Sequence, residues 1–298
     1  MLTNLDFVKF LIKAEGWPYW YGTCVYKCTN STLNSKKKQY PSHYTSSRMS
    51  KYKSHVAKKL VAADCVGLGK GYNWTNGGET VFEAIGTDKK ITSKYGKGCP
   101  DKSANGMFTY AKSKGLKWGT IDTIPEIPGL AVRYDGHVGY YIGNGEVIEE
   151  RGFAYGCQRT KLKDRKWLHW YEFPGITYVS GSTVPKIEDE IEFGDRTLKK
   201  GMTGDDIKEL QELLNELNYG PLTVDGDFGK KTEAAVKEYQ KENKLDVDGV
   251  VGPDTFAELL EDQGEDKIQE PEPEEKVLDY SKCPTIRYKD ENKYVSIL

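Results

Sequence analysis

The sequence predicts an α+β domain with an antiparallel sheet over residues 1–178, followed by a small all-α domain of three helices. Three observations lead there. Residues 136–152, GHVGYYIGNGEVIEERG, alternate like a strand, turn at Gly143-Asn144-Gly145 and alternate again, as an antiparallel hairpin does. Between residues 198 and 260, apolar positions recur at helical spacing in three separate runs. Finally, GSTVPKIEDEIEFGD (181–195) and EDQGEDKIQEPEPEEK (261–276) are acidic, contain Pro and keep no sustained period, so they read as linkers. The resulting organisation is a first domain at 1–178, a linker at 179–194, a second domain at 195–262, an acidic linker at 263–276 and a tail at 277–298 too short for its own core.

A chain of 298 residues with 37 % hydrophobic content can bury real cores, which excludes a disordered protein. No apolar run approaches the roughly eighteen residues of a membrane span, so no membrane partner is expected. The first residues, MLTNLDFVKFLIKAEG, have helical spacing and lack the basic start, apolar stretch and cleavage site of a secretory signal. The expectation is synthesis in the cytoplasm without a signal peptide. A net charge of −2 hides an asymmetry: residues 1–178 carry 27 Lys+Arg against 15 Asp+Glu, and the remainder 16 against 30. A basic front half suits an anionic polymer, wall glycopolymer or nucleic acid, or is simply a solvated surface; charge alone does not choose.

Six cysteines at irregular spacing make no disulfide framework in a chain of this length, which leaves one of them available as a nucleophile. Cys24 and Cys28 have His43 and His55 downstream, but eleven residues separate the histidines where a finger-like zinc site wants about three to five. They read as buried thiols, with no metal and no cofactor expected. The spacing also misses the Cys-x-x-Cys of a redox protein by one residue.

In the second domain Ile207, Leu210, Leu213, Leu214 and Leu217 fall on one helix face, as do Ala235, Val236 and Tyr239, and then Phe256, Leu259 and Leu260. Two turns repeat, VDGDFGKKT at 224–232 and VDGVVGPDT at 247–255, with Gly where positive φ is needed and Pro253 placed to open a helix. The paired turns resemble the peptidoglycan-binding-like three-helix domain, which implies a non-catalytic module that docks on wall polymer.

In the first domain AADCVGLGKGYNW (62–74) places a cysteine after Asp64 and before a stretch that could be helical. A thiol in the first turn sits at the positive end of the helix dipole, which favours thiolate; a buried structural cysteine is the commoner use of the residue. In the hairpin, His137 stands at the start of the first strand and Glu149 and Glu150 near the end of the second. A histidine can take the thiol proton and a carboxylate on the neighbouring strand can hold its tautomer. Which glutamate does so depends on register. A two-residue Asn144-Gly145 turn pairs Gly143 with Glu146 and puts Glu150 on the face of His137; a three-residue loop pairs Ile142 with Glu146 and puts Glu149 there.

Together, Asp-Cys-x-Gly-Leu, Gly-His-Val-Gly and a polar group twelve residues after the His resemble the NlpC-like family of papain-fold cell-wall cysteine peptidases. GWPYWYGT (16–23) is similar to that family's Pro-Tyr-x-Trp-Gly-Gly motif leading into the active site. The resemblance implies a papain-like fold, Cys65 as nucleophile, His137 as base and Glu149 as orienting group, hence the longer hairpin loop. It implies an oxyanion site at the Cys65 N–H, Tyr19 lining the cleft, and Asp64 either capping the helix or holding the substrate's amine. Departures are Val66 where the family has Ser, Tyr21 and Thr23 near the expected Trp and second Gly, and a long insertion at 24–60 that is either a substrate-facing lid or a solvated loop.

The implied function is hydrolysis of an amide bond in the peptidoglycan stem peptide, γ-D-glutamyl to diamino acid being the bond most often cut in this family. Cleavage between muramic acid and L-alanine uses the same groups, and a wall-binding protein without catalysis is the alternative of another class. The expected partner is bacterial peptidoglycan, not nucleic acid, and a wall hydrolase joined to a wall binder without a signal suggests an endolysin released through a holin-type hole.

Overall fold

A computed structural model describes residues 1–96, 98–179 and 193–265. The mixed α+β character of the front and the helical character of the back are both seen. α1 (Asn4–Lys13) is capped by the Thr3 hydroxyl, which accepts from the Asp6 N–H, and it buries Phe7, Val8, Phe10, Leu11 and Ile12. After it, β1 (Tyr26–Lys27), α2 (Asn30–Gln39), α3 (Met49–Ala57) and β2 (Val61–Ala62) form a lobe closed by antiparallel pairing of β1 with β2. This is the 24–60 insertion, and it is a folded lobe with an aromatic core beneath a solvated outer surface. It packs Leu33, Tyr44, Tyr52 and Cys28 around the buried Trp20, whose indole N–H donates to His55 Nδ1 at 3.0 Å.

The central helix α4 (Cys65–Trp74) follows, then the short α5 (Glu79–Phe82) and α6 (Ala104–Ser113). Glycine would be a poor choice for a free helix, and here packing decides. A Cβ on Gly67 would lie 1.9 Å from the Thr23 carbonyl oxygen, and one on Gly71 2.0 Å from the Val25 side chain. The missing side chains let the 22–25 segment lie directly on the helix.

β3 (Trp118–Thr120), β4 (Ala131–Tyr134), β5 (His137–Gly143), β6 (Glu146–Glu150), β7 (Cys157–Lys161) and β8 (His169–Tyr171) form one antiparallel sheet in the order β3-β8-β4-β5-β6-β7. Its two faces are both covered. Val138, Tyr140, Ile142 and Ile148 join the core beneath α1, α4 and α6, whereas Val132, Tyr141 and Val147 pack with Trp167 and Leu130 on the other side. Each such fully buried large side chain contributes about 1.5–3 kcal/mol.

The β5–β6 hairpin departs from both registers read in the sequence. Asn144 and Gly145 have φ of 53° and 72° and close a two-residue turn, with Gly143 opposite Glu146. Between Tyr141 and Gly143 the pairing then slips by one, so that Tyr141 faces Val147 and Tyr140 faces Ile148. The Asn-Gly pair forms its favoured tight turn, and a bulge at Ile142–Gly143 restores the register that the longer loop would have given. The three-residue loop is therefore corrected to a tight turn plus a bulge.

The back half contains α7 (Asp205–Glu216), α8 (Lys230–Glu242) and α9 (Pro253–Glu265) around Leu198, Ile207, Leu210, Leu214, Phe228, Val236, Tyr239 and Leu259. Leu260, expected on the apolar face, is exposed. The repeated turns are held alike. Gln211 Oε1 accepts from the Asp225 and Gly226 N–H groups while its Nε2 donates to the Asp225 side chain, the Asp227 carbonyl and Thr232. Gln240 accepts from the Gly249 N–H and donates to Asp248, the Val250 carbonyl and Thr255.

Residues 180–192 of the expected linker, the acidic stretch beyond 265 and the 277–298 tail lie outside the described residues. Phe193 and Gly194, expected in the linker, already pack on Phe256, and α9 runs to Glu265, into the stretch expected to be extended. The two halves dock. The buried Arg196 holds Asp206 at 2.6 and 2.9 Å and Glu15 of the front half at 3.3 Å, and Glu15 also receives Arg159. Lys13 reaches Asp195 at 2.7 Å, and Lys58 reaches Asp246 and Asp248 at 3.3 and 3.2 Å. No described helix is long and apolar enough to cross a membrane.

Candidate active site

Cys65 is the first residue of α4, and Asp64 is its N-cap. Asp64 Oδ1 accepts from the Gly67 N–H at 2.7 Å and Oδ2 from the Gly22 N–H at 2.9 Å. Asp64 thus caps the helix and also clamps the loop before the lobe. The Asp64 N–H bonds the Thr23 carbonyl, and Tyr19 pairs as a parallel bridge with Ala63. Tyr19 is half-buried, near Cys65, Asp64 and Glu150; burial first and then these titratable groups push its hydroxyl well above the phenol range.

The Cys65 thiol is buried. That burial, followed by the Asp64 charge, pushes it up to about 12, against hydrogen bonds from the Val138 and Val66 N–H groups. Val138 is the residue after His137, so the thiol sits where β5 begins. Tyr140 locks the helix to that strand, donating to the Cys65 carbonyl at 3.1 Å and accepting from the Gly69 N–H at 3.0 Å. The helix start favours the thiolate, and burial opposes it.

His137 Nε2 lies 2.8 Å from Glu149 Oε2. Glu149 is fully buried and fully engaged, since Thr160 donates to Oε1 at 2.8 Å and Arg165 to Oε2 at 3.0 Å. Burial raises its carboxyl, but the bonds from His137 and Thr160 and the charges of His137 and Arg165 win and hold it below the usual range. The imidazole is stacked against Trp167, ring centres 5.8 Å apart at 14°, with Tyr134 tilted at 5.0 Å on it. Gly139 makes room: a Cβ there would be 2.9 Å from Trp167. With Nε2 on the carboxylate, Nδ1 is the nitrogen left to serve a thiol.

Glu150, the next residue, is also fully buried, yet neither of its carboxylate oxygens has a hydrogen-bond partner. Burial, then the Asp64 charge, raises it well above the carboxylate range. Thr160, Arg165 and Trp167 were not signalled by the sequence. They belong to the strand and loop after the hairpin, in QRTKLKDRKW, where nothing in local pattern marks a partner for a distant glutamate.

Among the described residues no three His, Cys, Asp or Glu side chains are grouped as metal ligands, and the five described cysteines are free and buried. His55, considered with Cys24 and Cys28, accepts the Trp20 indole instead.

Residues 203–259 match the family described as a peptidoglycan binding domain. The chain is 43 % identical over 67 residues to the spore cortex-lytic enzyme of Halalkalibacterium halodurans, covering 22 % of this chain and 20 % of that protein. It is 43 % identical over 56 residues to the N-acetylmuramoyl-L-alanine amidase CwlM of Mycobacterium tuberculosis, covering 19 % of this chain and 14 % of that one. The solved SleB N-terminal domain is 32 % identical, with 24 % of this chain and 97 % of that chain covered at a TM-score of 0.23. The chain thus spans a fifth or less of the length of these two curated relatives. At residues 203–259 this chain thus matches a peptidoglycan-binding domain.

Proposed function

We propose that the front domain is a papain-like, NlpC-type cysteine peptidase that hydrolyses an amide bond of the peptidoglycan stem peptide, γ-D-glutamyl to diamino acid. The observation that carries this reading is His137 held by the buried Glu149 at the start of the strand that Tyr140 ties to the Cys65 carbonyl. His137 Nδ1 takes the thiol proton as the sulfur attacks the scissile carbonyl. The Cys65 N–H, at the helix start and so without an intrahelical acceptor, faces the developing oxyanion. The imidazolium, steadied by Glu149, then gives its proton to the leaving amine, and water releases the acyl group from sulfur. Loss of turbidity of purified walls tests this: Cys65→Ala should remain folded and fall below a few per cent of the unsubstituted rate.

A second reading is supported by the relative named as an N-acetylmuramoyl-L-alanine amidase. The same groups cut that bond. Mass spectrometry of digested wall separates the two, by new amino termini on the diamino acid or on L-alanine.

A further inference from the structure

Between the two halves lies a cleft of about 300 Å³, the lower end of small-ligand sites. Trp17, Pro18, Phe153 and Tyr155 line it from the front domain, Pro253 and Asp254 from the back. It adjoins the candidate active site along the chain on both sides. Trp17 and Pro18 run into Tyr19, and the loop bearing Phe153 and Tyr155 leaves the end of β6 just after Glu149 and Glu150.

Its charges are unequal in their company. Lys58 is spent on Asp246 and Asp248 across the junction. Lys199, which also lines the cleft, is half-buried and has no carboxylate within ion-pair distance among the described residues. The carboxylates that face it electrostatically are Glu15 and Glu150, with the Cys157 thiol nearby. Glu15 already serves Arg159 and Arg196, and burial drives Glu150 toward its neutral form. A desolvated ammonium without a direct partner is costly, and a bound anion relieves that cost. The same cleft is lined by Tyr155, 52 % exposed, with Arg151 on its ring, and by Phe153, flanked by Arg48 and Lys51. Aromatic faces beside a cation suit a ligand with a sugar or apolar body and a carboxylate.

We propose that this cleft is a second binding site for the wall polymer, taking a disaccharide–peptide unit with a stem-peptide carboxylate on Lys199 and the body of the unit against Tyr155 and Phe153. The assignment rests on reading the front domain as a wall peptidase, and it makes the two domains jointly responsible for holding substrate.

The test uses the full chain carrying Cys65→Ala, titrated calorimetrically with a purified disaccharide-tetrapeptide muropeptide. Adding Lys199→Gln should weaken binding about tenfold, the worth of one charge-assisted hydrogen bond. Amidating the probe's carboxylates should reproduce that loss in the chain that keeps Lys199 and add nothing further in the chain with Lys199→Gln. Tyr155→Ala, a change at an exposed side chain, should weaken binding about threefold or more. Unchanged affinity in both substituted chains, or full-strength binding of the amidated probe, overturns the proposal. The two readings separate: with Cys65 present, failure to cleave walls defeats the peptidase reading, whereas the Lys199 effect on binding does not depend on turnover.

Discussion

His137 Nε2 is 2.8 Å from Glu149 Oε2, while Glu150, one residue further along the same strand, points to the opposite face of the sheet and bonds nothing. Two adjacent buried glutamates thus have opposite electrostatic fates. Glu149 is surrounded by donors and stays charged; Glu150 lacks them and is pushed toward its neutral form.

Glu149→Ala should therefore lower wall hydrolysis on the order of 10²-fold or more, because the imidazole loses its tautomer and its counter-charge. Glu150→Ala should change the rate only a few-fold. Initial rates on purified walls decide it, and the reverse ranking would show that Glu150 is the orienting group.

The same contrast gives a pH dependence of stability. A carboxyl whose folded-state pKa is raised contributes stability that is full below the ordinary value of 4.5 and is lost as pH rises toward the folded value. Glu150→Gln should abolish that loss, so its stability advantage over the unsubstituted chain should grow from pH 4.5 to pH 7.5. Denaturant unfolding at the two pH values reads the difference, and an advantage that does not vary with pH removes the argument.

Cys65, held neutral at about 12, should react slowly with iodoacetamide at pH 7 and progressively faster as pH climbs toward 10. Peptide mapping assigns the label. Rapid, pH-insensitive labelling near neutrality would mean a preformed thiolate–imidazolium pair and a different first step.

Arg196→Met should cost about 3–5 kcal/mol, since it strands the buried Asp206 beside Glu15. A second change, Asp206→Leu, should return much of that. Differential unfolding with small-angle scattering checks both the loss and the loosening of the two domains; an unaltered radius with an unaltered midpoint would deny Arg196 its docking role.

In the binding domain, Gln211→Ala leaves the Asp225 and Gly226 N–H groups and Thr232 without their partner, at about 1–3 kcal/mol for each buried group that water cannot reach. Gln240→Ala should behave alike, because its bonds repeat the pattern. A fall in midpoint for one but not the other would break the equivalence of the two turns.

Much of this was legible in the sequence where local chemistry and tertiary structure agree. The alternation of 137–150, the Asn-Gly turn and the helical spacing of Ile207 to Leu217 all follow from neighbours in the chain. The bulge at Ile142–Gly143 was not legible, because a tight turn and a shifted register look like alternatives until both are seen in one hairpin. The 24–60 lobe was obscured by its lysines: its core is built on Trp20, Tyr44 and Tyr52, spaced too irregularly to show a period. Arg196 and Glu15 lie far apart in sequence as single charges, and only the folded chain makes them a pair.

The bulge carries a consequence of its own. Because a strand's side chains alternate by one residue, the single extra residue between Tyr141 and Gly143 acts as a phase-setting element for everything beyond it. Pairing that residue regularly, with Ile142 opposite Val147, would be a frameshift in space rather than in translation. The turn would still close and the strands would still pair, but the side chain meeting the imidazole would be the glutamate without donors, and the one with them would face the helices.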